Sequence, residues 1–352
     1  MRSDDIRNAL QQAGRVDTLV IHGASRFEVD DAWSAQRVKR ATFSRTGLSP
    51  SALAQRRRIK RWVCDALAST HYDVIVARYL GLALFVPFKH WGKLVLDADD
   101  IFKTPPASAG GSLVARLKFG ARNAVAAMLL RRARHVWLVN PMDRAKFRAS
   151  RVSRLPNTIA LPDTNAVRKP VVASRILMVG YFEHPPNAEG LEWFASRILP
   201  KLVERFPQVE LHAVGKTAPH FAQRFSAPVV IRGFVDDLAS EYASAALVIA
   251  PIRSGGGTQI KVLEALAHGR PLISSPFANA GFAEHLVPGE HLTIAETEEE
   301  WLDACERAFQ NPAVTEAMAA AGQLTVHRTY GTEHMVTVVR KTIDELAGQN
   351  RQ

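Results

Sequence analysis

What the chain lacks narrows it quickly. Only two of its 352 residues are cysteine, Cys64 and Cys305, far apart and without metal-type spacing. Neither a disulfide framework nor a zinc site is indicated, and a reducing cytoplasm is the simpler setting. No run approaches the length of about 18 consecutive apolar residues that marks a transmembrane helix. Met1 to Leu10 carries charges and no apolar core, so no signal peptide is read there. A G-x-x-x-x-G-K-[ST] loop, a repeat with a period of tens of residues, a zinc finger and a basic zipper are also missing.

Acid is missing from much of the first half. Between Ala32 and Cys64 there are nine basic residues and no acidic one, with Arg56, Arg57, Arg58, Lys60 and Arg61 as the core of the run. A second basic stretch runs from Arg116 to Arg154. Residues 1–167 hold 28 Lys/Arg against 13 Asp/Glu, a net +15, while residues 168–352 hold 17 against 21, a net −4. Such asymmetry implies that the first half faces a polyanion, or else presents a solvated basic face. Without a nucleic-acid motif, the expected polyanion is an anionic membrane surface, which attracts each nearby Lys or Arg by roughly 1 kcal/mol. Nucleic acid is not expected as a partner.

What is present is a globular composition, 47% hydrophobic and 22% charged, in a chain too long for one ordinary domain. Strand-like runs at Asp17–Ile21, Val74–Ala77, Leu94–Leu96 and Val136–Val139 alternate with helical patterns such as Asp4–Ala13 and Leu113–Ala133. Leu161–Ser174, with Pro162, Asp163, Asn165 and Pro170, reads as a linker. A second series follows, with strands at Arg175–Val179, Val209–Val214, Val229–Ile231, Leu247–Ala250 and Pro271–Ser274, a helix at Asn187–Phe206, and a helical tail over Glu298–Leu346. The alternation predicts an α/β protein of two doubly wound, Rossmann-like domains facing a cleft. Their expected bounds are 1–160 and 175–330, with the linker at 161–174 and a closing helix at 331–352.

Pro251 to Gly269 reads P-I-R-S-G-G-G-T-Q-I-K-V-L-E-A-L-A-H-G. An apolar strand leads into three glycines, and Lys261 and Glu264 then fall three residues apart on one helix face. Bare backbone and a helix N-terminus suit a phosphate. Lys261 could reach a diphosphate while Glu264 accepts hydrogen bonds from sugar hydroxyls. The alternative is a glycine turn followed by a surface Lys–Glu pair.

These residues carry a resemblance. R-I-L-M-V-G-Y-F at 175–182, P-N at 186–187, V-E-L-H-A-V-G at 209–215, I-R-G-F-V-D-D-L at 231–238 and the run from Pro251 to Ile273 resemble the retaining glycosyltransferases of the GT-B fold, family 4 (glycosyl transferases group 1). R-L-P-N-T-I at 154–159 matches a signature at the end of the family's first domain. The resemblance implies a hexosyltransferase-type enzyme using a nucleotide-diphosphate sugar as co-substrate, with no cofactor and no metal. The acceptor would be a saccharide or lipid-linked, in exopolysaccharide or lipopolysaccharide synthesis, with the protein cytoplasmic and peripheral at the inner face of the membrane. It implies Lys261 on the donor diphosphate and Glu264 on the ribose, as the residues that carry catalysis. Gly255, Gly256, Gly257 and Thr258 would complete the phosphate site, Arg253 would assist it, Gly233 and Phe234 would sit beside the base, and the turns at Gly180 and Gly215 would line the cleft.

The chain also departs from the family. The first acid of the family's Glu-x7-Glu falls on Gly256, the turn after Gly180 (Tyr181, Phe182, Glu183, His184) has no cation, and the family's first strand and its glycine loop are missing. A nucleotide-sugar epimerase and a truncated, non-catalytic nucleotide-binding protein are the alternatives. Asp97, Asp99 and Asp100 could hold acceptor hydroxyls or a metal, or cap a helix. His184 is the histidine expected to touch the donor; His268 and His285 are read as structural.

Overall fold

The apolar runs become parallel strands, which need crossover connections, as where the helices Pro185–Arg197 and Leu199–Arg205 join Val172–Val179 to Glu210–Val214. The computed structural model describes residues 2–16, 19–23, 39–43, 50–98, 113–139, 151–159, 161–162, 171–255 and 258–349. Its strands are β1 (Leu19–Gly23), β2 (Lys39–Phe43), β3 (Ile75–Arg78), β4 (Leu94–Ala98), β5 (His135–Leu138), β6 (Val152–Arg154), β7 (Val172–Val179), β8 (Glu210–Val214), β9 (Val229–Gly233), β10 (Ala245–Ala250), β11 (Leu272–Ser274) and β12 (Thr293–Ile294).

They form three parallel sheets among the described residues: β1-β2, β3-β4-β5-β6, and β12-β11-β10-β7-β8-β9. The last order runs outward in both directions from the β7–β10 pair, the doubly wound arrangement whose crevice opens where the order reverses. The inner strands are almost wholly apolar, as burial on both faces demands: Leu94–Ala98, with Asp97 its one charged residue, is wholly buried, and Ala245–Ala250 nearly so. The chain enters by a helix at Arg2–Ala13, and β1 and β2 pair with each other apart from the four-stranded sheet.

The last helix, Thr332–Gln349, packs on Arg2–Ala13. Its Met335, Val339 and Leu346 share one buried cluster with Ile6, Ala9, Val95, Trp137 and Leu155, and Trp137 Nε1 donates to Thr342 Oγ1 at 3.2 Å. The C-terminal helix is therefore part of the first domain's core.

Several boundaries differ from the sequence reading. The helix expected over Asn187–Phe206 starts at Pro185 and breaks into Pro185–Arg197 and Leu199–Arg205, because Pro200 lacks the N–H that would continue it. The tail is three helices, Glu298–Gln310, Pro312–Tyr330 and Thr332–Gln349, interrupted by Pro312 and Gly331. β7 begins at Val172, inside the expected linker. β4 extends to Ala98, so Asp97 lies within a strand and not after it. β2, β6 and β12 were not expected; each is too short or too polar to show a period.

Candidate functional site

Three glycine turns stand side by side at the carboxyl ends of the second sheet. Gly180 follows β7 and donates its N–H to the Val214 carbonyl at 3.0 Å; Gly215 follows β8 and donates to the Gly233 carbonyl at 2.8 Å. A Cβ on Gly215 would lie 1.9 Å from the Gly180 carbonyl oxygen, and its φ is +137°. Both facts restrict the position to glycine. The turns thus close to within backbone contact, leaving a ledge of main chain at the crevice.

The other wall comes from the residues after β10. Pro251 and Ile252 are buried, Arg253 is exposed, and Gly255 turns back against the start of the helix Pro185–Arg197. A Cβ on Gly255 would be 3.3 Å from Pro186 and 4.0 Å from the His184 ring. Gly190 of the same helix lies so close to β10 that a Cβ would sit 2.7 Å from the Pro251 carbonyl. The segment after β7 and the segment after β10 therefore meet across the point where the strand order reverses, the position at which open α/β sheets bind ligands. Gly256 and Gly257 lie outside the described residues.

The helix Ile260–Ala267 opens beside this junction. Its sequence, I-K-V-L-E-A-L-A, consists mainly of good helix formers and is buried almost all round. Lys261 is only 8% exposed. Its ammonium donates to Asn187 Oδ1 at 2.6 Å and to Gln259 Oε1 at 3.3 Å. Burial pulls its pKa down from 10.5 to about 8, against the opposing pull of the Glu264 carboxylate. Asn187 is fixed in turn by its Nδ2, which donates to the Tyr181 carbonyl at 2.9 Å. Lys261 is thus a cation aimed across the crevice and held there by neutral oxygens.

Glu264, one turn on, accepts a hydrogen bond from Tyr242 Oη at 3.1 Å. Burial raises the carboxyl's pKa, while that bond and Lys261 lower it. Tyr242 is completely buried, its own pKa pushed well up by burial and by Glu264, and its ring stacks on His268 at 4.8 Å. Burial, Arg270 and His327 hold His268 down at about 4, so it is a neutral ring at physiological pH.

The remaining expected residues fall in varied places. Thr258 Oγ1 accepts from Asn157 Nδ2 at 2.7 Å, so the P-N signature at the end of the first domain touches the glycine loop. Arg253 lies over the Trp193 ring at 5.1 Å. Phe234 is 76% exposed beside the Gly233 turn, where a base could stack on it. His184 precedes the first turn of the helix Pro185–Arg197. Asp97 lies on the other sheet, fully buried, 3.7 Å from Arg78 Nε; Asp99 and Asp100 lie outside the described residues.

Four residues received no role from the sequence. Asn187 and Asn157 each follow a proline in a quoted signature, but their partners, Lys261 and Thr258, are distant in sequence. Tyr242 gave no signal, being one aromatic in a short helix, Leu238–Ser244. Lys216, after Gly215, brings a cation to the turn that has none of its own: it lies 3.5 Å from Glu183 and over the Tyr181 ring, while its carbonyl accepts from Phe182 N at 2.8 Å.

Comparison with known proteins agrees with the fold. Residues 160–311 match the family model described as Glycosyl transferases group 1. No curated protein matches the sequence. Among solved structures, sucrose-phosphate synthase from Thermosynechococcus elongatus is similar at a TM-score of 0.73 and 16% identity, covering 99% of this chain and 93% of that one. HepE from Anabaena, solved with UDP and glucose, is similar at 0.60 and 16% identity, covering 89% and 86%. A trehalose-6-phosphate synthase, studied with bisubstrate glycomimetics for glycosyl transfer with retention, is similar at 0.65 and 14% identity, covering 98% and 96%. The chain has the GT-B fold, and its second domain matches the group 1 glycosyl transferases.

Proposed function

We propose that this chain transfers a sugar from a nucleotide-diphosphate sugar to a saccharide or lipid-linked acceptor, with retention, at the inner face of an anionic membrane. The observation that carries the reading is Lys261. A buried ammonium costs free energy beyond what its partners return, and this one, bonded to Asn187 at the start of the helix that follows β7, sits near a helix N-terminus. That combination suits a departing diphosphate, whose charge grows as the glycosidic bond breaks. Glu264, held by Tyr242, suits the ribose hydroxyls. The acceptor hydroxyl's proton can pass to the leaving phosphate, so no dedicated protein base is required. HepE was solved with UDP, which makes UDP the first nucleotide to try here.

The test is calorimetric titration of nucleoside diphosphates into the wild type and Lys261→Ala. A large loss of affinity is expected in the variant, and unchanged affinity overturns the diphosphate assignment. Turnover is then followed with a UDP-sugar and candidate acceptors. Acceptor-dependent release of UDP with retained anomeric configuration supports the reading. Interconversion of the donor sugar without acceptor identifies an epimerase instead.

A further inference from the structure

A helix on the surface of a globular domain ordinarily turns its apolar side inward. The helix Leu113–Leu130 has apolar residues on both sides. Ala126 and Leu130 are buried in the first domain's core. Leu113, Leu117, Val125 and Met128 are exposed, from 69% at Leu113 to 53% at Val125, and Gly120, Ala121 and Ala124 between them are exposed too. Spacings of three and four place these seven residues on one stripe, about 22 Å long at 1.5 Å per residue. Phe88, also more than half exposed, lies beside the helix's end, with the Arg132 guanidinium 5.6 Å from its ring centre. A contiguous apolar surface of this kind marks an interaction site.

The charges around the stripe identify what it fits. From Gly110 to Met142 the chain carries Arg116, Lys118, Arg122, Arg131, Arg132 and Arg134 and no acidic residue. Arg122, Arg131 and Arg132 are exposed. A second copy of the same face would set like charges against like, which opposes pairing. An anionic bilayer supplies both what the stripe and what the cations lack: an apolar layer and a negative surface above it. Among the described residues no helix is long and apolar enough to cross a membrane, so this one would lie along the surface.

We propose that the outward face of Leu113–Leu130 is a lipid-docking element that seats the first domain on an anionic bilayer. Leu113, Leu117, Val125 and Met128 enter the headgroup boundary, and the flanking arginines contact lipid phosphates. The proposal deepens the reading of an enzyme acting at a membrane, and names the surface that brings it there.

The full chain is tested by flotation with vesicles of phosphatidylcholine alone or mixed with phosphatidylglycerol. Recovery on the anionic vesicles is expected, falling as salt is added. Leu117→Glu with Val125→Glu should abolish it. Arg131→Glu with Arg132→Glu should reduce partitioning by about 30-fold from the two lost attractions, and further from the two added repulsions. Leu324→Glu, an exposed leucine of the second domain, should leave it unchanged. Equal wild-type recovery on both vesicle types overturns the proposal. So does wild-type behaviour of the Leu117/Val125 pair, or a dimer that this pair converts to monomer while vesicle recovery persists. UDP affinity without vesicles is measured in parallel and should be the same in every variant. A chain that binds UDP but not vesicles defeats the docking element alone, and one that binds vesicles but not UDP defeats the donor reading alone.

Discussion

Replacing Lys261 with methionine separates stability from function in a way that a structural lysine could not imitate. Burial lowers the lysine's pKa from 10.5 to about 8, and at 1.36 kcal/mol per tenfold this is roughly 3 kcal/mol spent on keeping it charged at neutral pH. Its 8% exposure leaves little solvent to screen that cost. Between pH 8 and 10.5 the folded state binds fewer protons than the unfolded chain, so wild-type stability rises with pH across this window; the cost is fully present below about 8. Lys261→Met removes the cost but strips Asn187 Oδ1 of its donor, worth about 1–3 kcal/mol in the opposite direction. Stability at pH 7 should therefore stay within about 2 kcal/mol of wild type, and the rise at alkaline pH should disappear. UDP binding should weaken by at least about tenfold, the value of a charge-assisted hydrogen bond. Wild-type affinity should also decline as pH rises above about 8, with proton uptake on binding, because the diphosphate favours the charged lysine. Urea unfolding across this pH range and titration calorimetry measure all of these. Lys261→Met that unfolds readily yet binds UDP as well as wild type would refute the reasoning.

Other changes act on the supports. Asn187→Ala removes one hydrogen-bond partner each from the Lys261 ammonium and the Tyr181 carbonyl, leaving them Gln259 Oε1 and His184 N; a melting experiment should show a loss of about 1–3 kcal/mol, and calorimetry a weaker UDP complex. Gly215→Ala places a Cβ inside the Gly180 carbonyl at a left-handed φ and should cost more than about 3 kcal/mol, read as loss of soluble, cooperatively folding protein. Tyr242→Phe deletes the bond that lowers the Glu264 carboxyl, so that carboxyl should rise further. A carboxyl whose folded pKa lies above the unfolded one stabilises most below the unfolded value and loses that contribution as pH rises through the folded value. The variant's deficit, about 1 kcal/mol at neutral pH, should shrink in acid; equal deficits at both pH values would count against the assignment.

The second domain was largely legible because its signals are local. Its strands are apolar runs ended by glycine, and the strand before Gly255 and the helix bearing Lys261 and Glu264 lie where the spacing put them. What was not legible depends on pairing across the fold. Nothing in P-P-N at 185–187 says that Asn187 will hold a lysine 74 positions away. Asp97 read as the residue after a strand because acids are rare inside strands; in the structure Arg78 on the neighbouring strand makes its burial tolerable. The first domain was harder for another reason. Its strands are short, and β2, K-R-A-T-F, lies in the basic run, where charge hides any period.

The same contrast explains why the site reading rests on Lys261 and less on the glycines. Glycine turns at strand ends occur wherever backbones must approach closely, and Gly190 and Gly215 are accounted for by packing alone. A methionine at 261 would fill a buried helix position without the cost of charge, and nothing in the hydrogen bonds from Nζ to two amide oxygens demands a cation. Among the described residues, the one anion the folded chain offers it is the Glu264 carboxylate, which offsets only part of the cost of burial. The part of the burial cost that Glu264 leaves uncovered marks Lys261 as open to an anion from outside the chain, and under the proposed function, at the carboxyl ends of β7 and β10 beside a helix N-terminus, that anion is a phosphate.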